Sequence, residues 1–308
     1  MRWLFCLVVT AGTAFADVPN LPQGEGSGSG SGEIAPPAPD APPAKVEEAK
    51  EVADKAKLTP IIANPNDPLK PAFQLYAEID VPILATGLVF ATSRLIRQQA
   101  AYCAPECTDR TQINALDRLT AGWYSATWST ASDFELYGMG AASLVLLLSD
   151  EGLLNTLNDA VVIGEATLSA TAVATIMTLA AGRPRPFLYS EKAPLSVRNS
   201  ADAGLSFLSS HTSEAFALAS SIYVAEKRLH PHGNKRKWVL GIGLTAASAV
   251  AVSRVFAGYH FITDVVGGAV VGSSLGVLIG SLHGSPVHVV PVVNPETKTS
   301  GLGLSGSF

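Results

Sequence analysis

Six long runs of apolar residues, each nearly free of charge, limit what this chain can fold into. They extend from Val81 to Ile96, Tyr137 to Leu148, Ala160 to Ala181, Thr212 to Ala225, Trp238 to Val255 and Phe261 to Leu282. Val265 to Leu282 is 18 residues without a charge and Trp238 to Ser253 is 16, both close to the length that crosses a bilayer. The runs are heavy in Ala, Leu, Gly and Ser, with few alternating β-branched positions, so helices are expected rather than strands. Turn-forming residues separate them: Pro184 and Pro186, the region of Gly204, and Pro231-His232-Gly233-Asn234. The expectation is an all-α domain over 59–284, built as a six-helix bundle.

The rest of the chain reads differently. Arg2, the apolar stretch Leu4 to Val9 and Ala14-Phe15-Ala16 have the layout of a secretory signal over 1–16. Residues 17–58 run through Gly-Ser, Ala-Pro and charged segments in series, a disordered tether with no chemistry of its own. Residues 285–308 look extended around a polar turn, as a tail or hairpin. Charged residues are 15% of the chain, against about a quarter in a typical soluble domain. The net charge of −5 argues against a nucleic-acid partner. Cys103 and Cys107 are the cysteines left after signal removal. Their spacing is poor for zinc and compatible with a disulfide in an oxidising compartment.

Ionisable side chains gather where apolar runs end. Arg183 and Arg185 lie in Gly182-Arg183-Pro184-Arg185-Pro186, where prolines stop a helix; guanidinium forks suit phosphate oxygens. Ser206-Phe207-Leu208-Ser209-Ser210-His211-Thr212 opens the fourth run, and serines at a helix start offer hydroxyls and free N–H groups to an anion. Ser253-Arg254 precedes His260, and Asp264 follows four residues later, on one helical face if the last helix starts at His260. A carboxylate there can fix the imidazole tautomer, leaving the other nitrogen to attack phosphorus while His211 protonates the leaving oxygen.

These three blocks resemble the signatures of the type 2 phosphatidic acid phosphatase (PAP2) superfamily, which includes bacterial acid phosphatases and vanadium haloperoxidases. Ser253 to Asp264 matches the family's third block, Ser-Arg, five residues, His, three residues, Asp, at every fixed position. The resemblance spans Val81 to Leu282 and implies a PAP2-type bundle. It implies a phosphatase using His260 as nucleophile, Asp264 as its orienting partner and His211 as general acid. Arg185, Arg254 and Ser209, with Arg183 and Ser210 beside them, would bind phosphate, with no metal or other cofactor. Two positions depart from the pattern: Thr178 stands where the family has a Lys, and Ser210 where it has a Gly. Loss of one phosphate-contacting cation costs about 2–4 kcal/mol of transition-state binding if it resembles loss of an oxyanion donor.

The implied substrate is a phosphorylated lipid or a small phosphate ester. The alternatives are a haloperoxidase, with vanadate as its cofactor, and a silent envelope protein that binds lipid phosphates. The bundle is expected in the bacterial cell envelope, membrane-embedded with a periplasm-facing site or soluble in the periplasm. If all six helices cross from an external tether, the catalytic mouth falls inside. Five spans with a short peripheral first helix restore an external site. Glu165 within the third run is either a buried, paired carboxylate or a solvent-facing residue, and the second is preferred. Asp109, Asp117 and Asp133 fall in the long connection between the first two runs, near Trp123 and Trp128. His230, His232 and the surrounding Lys and Arg residues read as a surface basic loop opposite the catalytic end.

Overall fold

The computed structural model describes residues 70–96, 100–284, 287–294 and 299–306. The expected signal at 1–16 and tether at 17–58 lie outside the described residues. Within them the expected all-α bundle is present: α1 (Ala77–Ile96), α2 (Ala115–Arg118), α3 (Ala126–Ala181), α4 (Leu195–Arg198), α5 (Ser210–Leu229), α6 (Lys235–Phe256) and α7 (Ile262–Leu282). A 3-10 turn covers Pro186–Tyr189, and strands β1 (Val287–Asn294) and β2 (Thr299–Gly306) pair antiparallel, Val287 opposite Gly306.

Six long rods come from five long helices because α3 is two helices joined at Gly152. Its φ of 76° and ψ of 174° interrupt the helix there, a conformation only glycine adopts cheaply. The polar segment 149–159, expected as a connection, is therefore helical on both sides of one sharp turn. Helix α3 also begins earlier than the apolar run suggested. Ser125 caps it by accepting from the Trp128 N–H at 3.4 Å, and this places Trp128 and Asp133 on a helix rather than in a loop. Gly182, at φ 55°, ends it in a left-handed cap. Helix α1 is a 20-residue member of the bundle, not a short peripheral piece; a Cβ built on its Gly87 lies 3.1 Å from Leu168.

The closest packing is between α5 and α7. Gly268, Gly272 and Gly276 face Ser209, Ser213 and Ala217 backbone. A Cβ on Gly272 would sit 2.1 Å from the Ser213 carbonyl oxygen, and one on Gly276 2.5 Å from that of Ala217. Small residues at i, i+4 spacing let two backbones touch. Because both helices start at the same end, their N-termini lie side by side, with the Ser209 N–H donating to the Asp264 carbonyl at 3.3 Å. The N-terminal segments Cys103–Cys107, joined by a disulfide, and α2 close over this end. The Cys107 N–H donates to Leu188 O at 2.9 Å. A core of Ile113, Phe187, Leu188 and Phe261 supports them.

Candidate active site

His260 sits in the two-residue step between Gly258-Tyr259 and the start of α7. Gly258 has a φ of 76°, and a Cβ there would meet the Trp123 carbonyl oxygen at 1.9 Å, so the loop can pass here only as glycine. His260 is 3% exposed. Its Nδ1 donates to the Ser206 carbonyl at 2.6 Å, which leaves Nε2 as the lone-pair nitrogen of the neutral ring.

Asp264 takes a different part from the one its spacing suggested. Helix α7 begins at Ile262, after His260, so the two residues do not share a helical face. The carboxylate is 4.0 Å from Nδ1, outside hydrogen-bonding distance. It accepts instead from Ser206 Oγ at 2.6 Å and the Phe261 N–H at 2.8 Å. The chain of contacts runs from Asp264 through Ser206 to His260. Ser206 is fully buried; it opens the second sequence block, yet nothing in the sequence marked its carbonyl as the histidine's partner.

The arginines divide. Arg183 donates to Asp264 Oδ1 at 2.5 Å, Thr263 Oγ1 at 3.0 Å and Asp117 Oδ2 at 2.7 Å, and its guanidinium lies 4.1 Å from the centre of the Phe261 ring. Asp117 also accepts from the Thr263 N–H at 3.0 Å. Arg183 thus staples α2 to the start of α7. Arg185 and Arg254 instead converge on one ring: each guanidinium carbon is 4.8 Å from the centre of Tyr259, beside His260. Arg185 is held by Asp202 at 2.9 Å and Arg254 by Ser132 Oγ at 3.2 Å. Burial, then Arg185 and Arg254, keep the His260 pKa well below its usual value, so its ring is neutral at physiological pH.

His211, in the first turn of α5, hydrogen-bonds through Nε2 to Asp133 Oδ1 at 2.8 Å. Burial and then Arg254 push its pKa down to about 4, against the opposing pull of Asp133. Ser209 caps α5, its Oγ accepting from the Thr212 N–H at 3.4 Å and from Thr212 Oγ1 at 3.0 Å. Ser210 is the first residue of that helix. Thr178, in place of a lysine, is buried with its hydroxyl turned to the Ala174 and Leu208 carbonyls, and so brings no charge. Trp123 and Trp128 both pack on Phe256, at 5.4 and 5.3 Å between ring centres.

The arrangement gathers a neutral imidazole with an open nitrogen, a second imidazole, two buried guanidiniums and two helix N-termini. It suits attack on an anionic electrophile. The sequence named Ser206 in its second block and Asp117 and Asp133 near a substrate entrance, but gave them none of these partners, and it did not single out Tyr259.

Residues 159–284 match the family model described as the PAP2 superfamily, so the resemblance carried by the three sequence blocks is borne out. No curated protein matches the chain. Among solved structures, the chain is similar to a transmembrane PAP2-type phosphatidylglycerolphosphate phosphatase from Bacillus subtilis. The identity is 22%, the match covers 67% of this chain and 95% of that one, and the TM-score is 0.39.

Proposed function

We propose that this chain, PAP2 superfamily sequence over residues 159–284, is a phosphatase that hydrolyses phosphate monoesters or diphosphates of lipids through a phosphohistidine. One observation carries the reading: the His260 Nδ1 bond to Ser206, which presents Nε2 beside Arg185 and Arg254. Nε2 attacks phosphorus and the P–O bond to the leaving group breaks. His211 gives its proton to the departing oxygen. Water then attacks the phosphohistidine, returns a proton to His211, and releases phosphate and neutral His260. Arg185 and Arg254 hold the non-bridging oxygens as charge builds on them, so the step at phosphorus proceeds without a metal ion.

A lipid substrate is supported by the surface around the site. A groove of about 570 Å³ runs between the two halves of α3 and α5, lined by Leu136, Leu144, Leu147, Ile163, Leu218 and Ile222. Glu214, which also lines it, is one turn along α5 from His211. Among the described residues three helices are long and apolar enough to cross a membrane, Ala126–Tyr189 counted as one, then Lys235–Phe256 and Ile262–Leu282. Leu144, Val145, Ile242, Val266 and Val270 are outward-facing, from 49% to 66% exposed, an apolar surface suited to lipid. Trp238 stands among Lys235, Arg236 and Lys237 at the start of α6, as at a membrane interface.

The test is hydrolysis of phosphatidic acid and para-nitrophenyl phosphate by the purified protein. Release that continues with chelator present and is lost in His260→Asn is the expected result. Undiminished turnover by His260→Asn would overturn the mechanism. Tight binding of lipid phosphate with no release would leave only the silent binder.

A further inference from the structure

The bundle end away from His260 holds a second histidine constellation. His283 follows α7 directly, so the 21 residues of that helix separate it from His260 by about 30 Å. Asp80 in the first turn of α1, Glu165 in the second half of α3 and His283 each offer a ligand atom, all within 4.8 Å of one another. They are 3%, 0% and 1% exposed. Glu165 therefore does not face solvent, as its isolation in an apolar run had suggested. His283 Nε2 lies 2.7 Å from Asp80 Oδ1 and 3.2 Å from Glu165 Oε2.

Three features distinguish this group from an ordinary buried ion pair. His283 Nδ1 is 2.8 Å from the Ile279 carbonyl, a contact that requires a proton on Nδ1 and turns Nε2 toward the carboxylates. Asp80 is oriented by the Tyr76 N–H, which donates to Oδ2 at 2.6 Å. Holding the far side of each ligand in this way is how outer partners fix ligands around a metal. Among the described residues Glu165 Oε1 has no hydrogen-bond partner and Oε2 has only the 3.2 Å contact with His283 Nε2, although the side chain is fully buried, where an under-satisfied carboxylate is costly.

Charge points the same way. Two carboxylates face one imidazole, and among the described residues neither is ion-paired with a Lys or Arg. Even an imidazolium leaves a negative excess in a dry interior. The neighbouring group of like composition, Asp150, Glu226 and His230, has solved this differently. The Lys235 ammonium contacts Asp150 there and lies 3.5 Å from Glu226.

We propose that Asp80, Glu165 and His283 bind a divalent transition-metal ion, Zn2+ or Mn2+, that clasps α1, α3 and α7 together. One nitrogen and two carboxylate oxygens suit these ions. Ligand separations of 2.7 and 3.2 Å correspond to angles of roughly 80–100° around an ion about 2.1 Å from each atom. The ion takes no part in phosphoryl transfer; it joins the first and last long helices, so binding it is coupled to folding.

The full-length protein, purified in detergent without added metal, is analysed for bound metals. It is then stripped with chelator and given Zn2+ or Mn2+ alone while its thermal midpoint is followed. The expected result is about one divalent ion per chain, a midpoint that falls on stripping and recovers on re-addition. The ion is lost in His283→Gln and Glu165→Gln and kept in His260→Asn, which separates this site from the catalytic histidines. The initial rate of phosphate release at low temperature is unchanged by the chelator, so a failure here is distinct from a failure of the phosphatase reading. A metal-free protein whose midpoint ignores both chelator and added Zn2+ or Mn2+ would overturn the proposal and leave an imidazolium as the bridge. Should the variants not fold, stripping and re-addition on the unaltered chain decide alone.

Discussion

Helix α7 has a buried histidine at each end, and the two are embedded in opposite surroundings. At the start, among the described residues, no carboxylate lies within hydrogen-bonding distance of His260; Asp264 is 4.0 Å away and two guanidiniums crowd the neighbouring Tyr259 ring. At the finish, His283 contacts two carboxylates. The same imidazole is thus kept neutral, with an open lone pair, among cations at one end and set against two carboxylates at the other. The first environment suits a nucleophile, as proposed for His260. The second suits the proposed clasp.

The comparison predicts that substitutions at the two ends separate rate from stability. His260→Gln should lower kcat/KM by at least about 10⁴-fold, as removal of a catalytic nucleophile does, with little change in thermal midpoint. Steady-state kinetics beside a melting curve checks both halves; a melting loss as large as the activity loss would erase the contrast. His283→Gln should do the reverse. Leaving Asp80 and Glu165 buried without their partner costs about 3–5 kcal/mol, read as a lower midpoint, while the rate per folded molecule stays near that of the unaltered chain.

Arg183→Ala should fall between them. It releases Asp117 from Asp264 and so loosens α2 over the site. A stability loss of about 2–3 kcal/mol is expected together with a moderate drop in kcat. A loss of substrate binding alone would show that Arg183 contacts phosphate after all.

The smallest effect is on pH dependence. His260 is neutral from well below pH 6.5 upward, so its contribution survives rising pH. In the proposed mechanism His211, its pKa pushed down to about 4, is the group that must carry a proton. The kcat/KM of the free enzyme should therefore fall as pH rises above that value. Asp133 opposes this lowering, so Asp133→Asn should move the falling limb to still lower pH, and a pH–rate profile measures it. An unmoved limb would detach Asp133 from the acid.

What the sequence disclosed follows the same division. The candidate site at the His260 end was legible because Ser253 to Asp264 lies in one continuous segment, and helix ends supply its geometry. Ser206 and Asp117 escaped because they act across the fold, Asp117 reaching Arg183 over 66 positions and Thr263 over 146. The far end was illegible for that reason in stronger form. Asp80 and His283 are 203 positions apart, and a single glutamate within an apolar run carries no mark of the side chain it will meet. The six rods were readable from apolar length, whereas the start of α3 was not. Residues 126–136 are too polar to show a buried face, and the Ser125 cap is what begins the helix there.

The central claim is that His260 carries the phosphoryl group, and trapping that group tests it most directly. Rapid acid-free quenching during turnover of a radiolabelled phosphate ester, followed by peptide mapping, should find acid-labile, alkali-stable phosphate on the peptide containing His260. The label should be absent in His260→Gln. Turnover at full rate with no label on that peptide, or with label on a serine such as Ser209, would contradict the account.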